Sequence, residues 1–199
     1  MIHIFYRIQL EFMRDTEEDF KHVVSYFTSS CPEIITREEW NASDPVSSKA
    51  LKENPPPYVV VHHSATALCN TTEKCKRVVK GFQDYHINDQ GWEDIGYNFL
   101  IGGDGKIYEG RSWGIHGAHV PKYNARSIGI CLIGNFQIDE PLNIQLEALK
   151  EFISCGVEEG KILSDYHLIG HRQGGATLCP GDKLFEEIKE WAHFDTDPN

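Results

Sequence analysis

The sequence has 199 residues, enough for one well-cored domain and short for two. Apolar residues make up 40% and charged residues 25%, which argues against wholesale disorder. Thirty acidic against 19 basic residues give a net charge of −11. That balance argues against a nucleic-acid or anionic-membrane surface, because phosphate recognition needs a dense basic footprint.

The first ten residues are apolar, but His3 and Arg7 interrupt them and Glu11, Arg14 and Asp15 follow at once. A secretory signal wants an unbroken apolar stretch and a small-residue cleavage site, and neither is evident. No apolar run approaches the roughly 20 residues of a membrane span, so no transmembrane segment is expected. Residues 1–30 therefore read as an N-terminal extension without an assigned role, and residues 31–199 as the domain proper.

Pro55-Pro56-Pro57 leads stiffly into Tyr58-Val59-Val60-Val61, a β-branched run of the buried-strand kind. From Thr72 the positions Cys75, Val78, Val79, Phe82 and His86 follow helical spacing on one face. A second strand is expected over 97–101, with Gly102 to Gly105 supplying positive φ angles for a hairpin and Lys106 to Glu109 returning. Ser127 to Phe136 is almost wholly apolar and reads as a central strand. Pro141 opens a helix striped by Leu146, Leu149, Phe152 and Ile153, with Gly160 fitting its end. Leu168-Ile169 is a short strand, and a last helix runs from about Asp182 to Trp191. Strands separated by helices predict an α/β domain: a central mixed β-sheet flanked by three main helices.

The reactive residues fall at strand ends. His62 and His63 close the first strand, His171 follows Leu168-Ile169, and Cys179 lies eight residues beyond His171. Two imidazoles and one thiolate leave a tetrahedral zinc with one open position, the arrangement of a catalytic site; a structural site would want a fourth protein ligand. Water in that position ionises near neutral pH and attacks a carbonyl. No glutamate occupies a His-Glu-x-x-His position, so the general base of that zinc-peptidase route is missing. Cys69 and Cys75 stand six apart around a polar turn, and Cys31 and Cys155 lack metal-type spacing. Such pairs point to disulfides and an oxidising compartment, as do the glycosylation tripeptides at Asn41 and Asn70. The cysteines thus favour a secreted protein, whereas the N-terminus offers no clear signal peptide and fits an intracellular form.

Five blocks in order, VVVHHSAT (59–66), GWEDIGYNFLIGGDGKIYEGR (91–111), GAH (117–119), SIGICLIGNF (127–136) and GHRQGGATLCPGD (170–182), resemble those of the peptidoglycan recognition proteins. That family is similar to phage and bacterial N-acetylmuramoyl-L-alanine amidases, and the likeness spans roughly residues 31–194. It implies an amidase-like fold with a ligand groove over one face of the sheet. It also implies that His62, the first of the pair, joins His171 and Cys179 on zinc. Many family members lack the cysteine and only bind peptidoglycan; its presence here favours the enzyme.

By the same resemblance, Tyr97 matches the catalytic tyrosine, and Thr177 stands where some relatives use lysine to donate to the oxyanion. A phenol can hydrogen-bond the attacking water or the developing oxyanion. His63, His86, Trp92, His119 and Asn124 match positions that contact the muramyl peptide. Imidazole and amide groups offer paired donors and acceptors to such a ligand, and Trp stacks on it. Cys69–Cys75 corresponds to the family disulfide before the first helix, and Cys31–Cys155 to a second seen in some members. Cys131, inside an apolar strand, reads as a small buried hydrophobe. Gly91-Trp92 and Arg111 resemble the members that prefer diaminopimelate over lysine in the stem peptide, Arg111 being able to meet the extra carboxylate with a planar fork. The implied activity is hydrolysis of the bond between N-acetylmuramic acid and L-alanine in innate immunity. The alternative is a non-catalytic receptor that binds peptidoglycan and signals through a partner, using residues 1–30.

Overall fold

A computed structural model of the chain describes residues 31–198; the N-terminal extension read from the sequence lies outside the described residues. Six strands form one sheet: β1 (Ile34–Ile35), β2 (Tyr58–His63), β3 (Phe99–Ile101), β4 (Ile107–Glu109), β5 (Ser127–Leu132) and β6 (His167–Gly170). Their order is β1-β4-β3-β5-β2-β6. Only the β3–β4 hairpin is antiparallel; every other neighbouring pair is parallel. The expected mixed sheet is present, with β5 central as its apolar sequence requires.

Among the described residues three α-helices accompany the sheet: α1 (Thr72–Asp84), α2 (Asn143–Glu158) and α3 (Asp182–Lys189). Thr71 caps α1, its side chain accepting from the Lys74 N–H, and α1 continues into a π-helical turn over Tyr85–Asp89. Gln145 of α2 reaches the sheet, donating through Nε2 to the carbonyls of Ile101 and Ile133 at 3.3 and 3.2 Å. Phe99, Trp113 and Phe152 pack together with ring centroids 4.5–5.0 Å apart, fixing α2 over the sheet centre.

Alternation along β2 divides the core. Val59 and Val61 face the larger apolar cluster with Leu149, Phe152, Leu184 and Ile188 of α2 and α3. Val60 and Tyr58 face the other side with Val120, Tyr123 and Ile169. Further along that second side, Cys75 and Val79 of α1 pack with Ile95, Leu100 and Cys131.

The structure moves several boundaries. The second strand starts at Phe99, leaving Tyr97 and Asn98 before it; the central strand ends at Leu132, and the last helix stops at Lys189, two residues before Trp191. Tyr97 and Asn98 leave the ladder because their carbonyls serve the 110–112 segment: the Tyr97 carbonyl accepts from Arg111 N at 3.0 Å, and that of Asn98 from Gly110 N at 2.9 Å. Of the hairpin glycines only Gly105 adopts positive φ, at 75°, so one left-handed residue closes the turn. Strand β1 was not anticipated, since two residues give no period to read; its place is fixed by pairing with β4 and by the buried Trp40, whose indole donates to the Glu109 carbonyl at 2.9 Å.

Candidate metal centre and ligand-binding residues

His62, His171 and Cys179 converge although they are spread over 118 positions of sequence, their donor atoms all within 4.8 Å of one another. Each is delivered by a strand end or a fixed loop. His62 lies on the same face as Val60 at the end of β2, and His171 opens a short 3₁₀ turn directly after β6, which is the neighbour of β2. Cys179 is held beside them by its loop: its carbonyl accepts from Arg172 N at 2.8 Å, and its sulfur accepts from His63 N at 3.3 Å. Arg172 also bonds Asp182 at 2.8 Å and the Leu178 carbonyl, tying down both flanks of the cysteine.

The donor set fits zinc. Burial drives the His62 imidazole well below its ordinary pKa, helped by His119, His171 and His63, and burial likewise lowers His171. Both rings are therefore neutral at pH 7, the form that ligates a metal. Burial pushes the Cys179 thiol up to about 12; a divalent cation is the charge that would reverse this, since coordination deprotonates a thiol outright. His62 Nδ1 lies 3.7 Å from Cys179 Sγ. Two ligands on a tetrahedral zinc, at about 2.05 Å for nitrogen and 2.3 Å for sulfur, stand about 3.6 Å apart. Among the described residues no fourth protein ligand joins the three.

Tyr97 lies next to this centre, its ring centroid 5.3 Å from that of His62. Burial and the neighbouring Cys131 and Cys179 hold its pKa well above the ordinary tyrosine value. Cys131 is a free, buried thiol, as its apolar strand suggests, and its Sγ donates to the Leu132 carbonyl at 3.7 Å. Thr177 is exposed, and its Oγ1 accepts from Cys179 N at 3.1 Å, which leaves its hydroxyl proton available to a ligand.

His86 and Trp92 stack with centroids 4.6 Å apart and an interplanar angle of 18°. Gly91 makes this possible: at φ 67° it turns the chain back after the π-helical segment, so that Trp92 N bonds the His86 carbonyl at 2.9 Å. Gly91 therefore acts through its backbone. His86 Nδ1 accepts from Gly96 N at 3.1 Å, leaving Nε2 as the outward donor, and burial beside Arg111 lowers its pKa to about 4.

Arg111 is not the solvated surface side chain that a hairpin arginine could have been. It is 9% exposed, and its guanidinium donates to the carbonyls of Ile95 at 2.7 Å, His116 at 3.1 Å and Asp94 at 3.5 Å. Among the described residues no carboxylate lies within ion-pair distance of it; the Asp94 carboxylate is engaged by Arg37 at 2.9 Å and Gln83 at 2.7 Å. Its charge bears on both His86 and His119.

Two anticipated contact residues are placed differently. His63 follows Val61 onto the α2/α3 side of the sheet, away from His62, with Nδ1 accepting from Phe136 N at 3.2 Å and its pKa lowered to about 4 by burial, then by Arg172. Asn124 uses its side-chain oxygen internally, accepting from His119 N at 2.8 Å and Val120 N at 2.7 Å. His119 touches His62 itself. Residues that sequence reading passed over include Asp94, Gln83 and Asn98. Asn98 is wholly buried and binds the carbonyls of Ser112 and Ile115 and the Gly129 N–H. For Asn98 the one signal was a polar residue directly before an apolar strand. Cys69 and Cys75 form a disulfide, and Cys31 and Cys155 are both disulfide-bonded.

Residues 52–182 match the family model described as N-acetylmuramoyl-L-alanine amidase. Peptidoglycan-recognition protein LB of Drosophila melanogaster is 46% identical over 162 residues, 81% of this chain and 69% of that protein. The chain belongs to the peptidoglycan recognition protein family. The solved structure of wild-type Drosophila PGRP-LB aligns with a TM-score of 0.81 at 45% identity, covering 84% of this chain and 98% of the other. That of peptidoglycan recognition protein LE, in complex with tracheal cytotoxin, a monomeric diaminopimelic acid-type peptidoglycan, aligns at 0.80 with 42% identity, covering 81% and 95%. The α/β fold with a mixed sheet and three helices is the fold of these relatives.

Proposed function

We propose that the chain is a secreted, zinc-dependent amidase of innate immunity that cleaves the bond between N-acetylmuramic acid and L-alanine in peptidoglycan and prefers diaminopimelate-type stems. The observation that carries the reading is the meeting of His62, His171 and Cys179 donor atoms within 4.8 Å, two neutral imidazoles and one thiol with no fourth protein ligand among the described residues. Bound there, zinc supplies Lewis acidity toward a carbonyl and makes a water molecule a competent nucleophile near neutral pH.

The chain's own side chains do the rest. Tyr97 stays protonated because its phenolate is disfavoured by burial and by the adjacent thiols, so its role is that of a hydrogen-bond donor to developing oxyanion charge. Thr177, its oxygen oriented by Cys179 N, offers a second donor from the exposed side. The stacked His86–Trp92 pair presents an aromatic face and an outward imidazole N–H, which suits a sugar-bearing, amide-rich ligand. Arg111, held by carbonyls and facing no carboxylate of its own, is suited to a carboxylate from the stem peptide. The complex of the LE relative with a diaminopimelic acid-type fragment supports that preference. The disulfides support an oxidising location.

The deciding experiment combines metal analysis of the purified protein with release of free stem peptide from purified peptidoglycan. One zinc per chain and peptide release are expected. Peptidoglycan binding with neither zinc nor release would make the chain a receptor instead.

A further inference from the structure

His62 presents its two ring nitrogens to two different neighbours. Nδ1 lies 3.7 Å from Cys179 Sγ, on the side of the donor set, and Nε2 lies 3.0 Å from His119 Nδ1. His119 Nε2 in turn lies 3.4 Å from Ser127 Oγ, and Ser127 Oγ donates to the Tyr123 carbonyl at 2.9 Å. The far end of this row sets its direction, because a carbonyl only accepts. Ser127 gives its proton to Tyr123 O and so accepts from His119 Nε2–H. The neutral His119 ring then has a lone pair at Nδ1, which accepts from His62 Nε2–H. The nitrogen of His62 left without a proton is Nδ1, the one beside Cys179.

The surroundings hold the His119 ring for this purpose. It is 8% exposed and meets His62 edge-on, at 86° with centroids 4.9 Å apart. It sits in a slot left open by two glycines: a Cβ added at Gly117 would lie 2.3 Å from His119 Cδ2, and one at Gly129 would lie 2.5 Å from the same atom. Gly129 occupies the middle of β5, where glycine weakens a strand, and close approach of another group is a usual reason for it. Asn124 fixes the backbone on either side of the ring, accepting from His119 N and Val120 N.

We propose that His119 is a positioning residue which, through the row His62–His119–Ser127–Tyr123 carbonyl, fixes the tautomer and ring plane in which His62 offers Nδ1 to the metal. The proposal rests on the zinc reading above and deepens it; it assigns to His119 an action through His62, besides any contact with ligand. Outer partners of this kind raise ligand basicity, and losing one costs about 10–100-fold in metal affinity or activity.

The test measures zinc affinity by competition with a chelating dye, and the His62 tautomer by ¹⁵N NMR of the metal-free protein. His119→Phe keeps a ring in the slot and removes both nitrogens; zinc is expected to bind about 10–100-fold more weakly, with cooperative thermal unfolding retained. His119→Asn sets an amide oxygen near the former Nδ1 and should recover most of the affinity, and Ser127→Ala should lower it by a smaller factor. Metal-free wild type should show His62 as the Nε2–H form. Zinc affinity in His119→Phe within about threefold of wild type, against the loss an outer partner causes, would overturn the proposal, as would a His62 Nδ1–H tautomer. If His119→Phe does not fold, Ser127→Ala and the wild-type tautomer decide. A wild type that takes up no zinc overturns the amidase reading instead, and the tautomer then judges the hydrogen-bonded row alone.

Discussion

Replacing Arg111 by Lys tests whether a buried fork reads the third stem residue. The native guanidinium is 9% exposed and makes two close bonds to main-chain carbonyls, 2.7 Å to Ile95 and 3.1 Å to His116. These fix its plane, so its remaining N–H groups meet a ligand carboxylate without further ordering of the side chain. Lysine keeps the charge and loses the fork, and a point charge cannot serve the carbonyls and a carboxylate in the same geometry. Hydrogen bonds to charged groups contribute about 1.5–3 kcal/mol each. Loss of one such bond predicts about 10–150-fold weaker binding of a diaminopimelate-type muramyl peptide. A lysine-type peptide lacks the extra carboxylate and should change little. Isothermal titration of wild type and Arg111→Lys with both peptides reads the difference directly, with thermal melts to confirm that the carbonyls of Ile95 and His116 have not cost the fold. Equal wild-type affinity for the two peptides would refute the reasoning, and so would an equal loss for both in the variant.

Cys179→Ser should abolish tight zinc binding and peptide release while leaving circular dichroism largely unchanged, because the core rests on the sheet, α2 and α3 rather than on the sulfur; unchanged zinc stoichiometry would contradict the ligand assignment. Tyr97→Phe should retain zinc and ligand binding yet slow hydrolysis by about 10²–10³-fold, the usual cost of an oxyanion donor, and wild-type turnover would reduce Tyr97 to a packing residue beside His62 and His86. For the metal-free protein, stability should fall as pH drops below about 6.5, the ordinary histidine value. His63 and His86 titrate near 4 and His119 near 3 when folded, so between those values and 6.5 the unfolded chain binds more protons. Each group contributes at most about 1.4 kcal/mol per pH unit in that window, and a denaturation midpoint constant from pH 7 to 4.5 would show that the imidazoles are less buried than described.

Much of the molecule is written locally. The β-branched run at 58–61 and the apolar 127–136 stretch declare parallel, buried strands, and the helical stripes at 75–82 and 146–153 declare the helices that cover them. Imidazoles and a thiol at strand ends suggest a metal site, and the family resemblance singles out His62, His171 and Cys179 as its ligands. The sequence therefore determined the fold class and the family, and it named the three residues whose donor atoms meet within 4.8 Å. Tertiary structure alone decided which neighbour each polar side chain meets. Alternation along β2 separates His62 from His63, and the first packs toward Tyr97 and His119 while the second turns to Phe136. Arg111 becomes a buried, carbonyl-held cation only because the 94–96 and 111–116 segments cross, an approach with no local signature. The His119 slot depends on two glycines twelve positions apart, Gly117 and Gly129, brought against one ring. Hydrogen bonds are short-ranged and directional, so such pairings are fixed by the packed backbone and are invisible to periodicity, which records only the face on which a side chain lies.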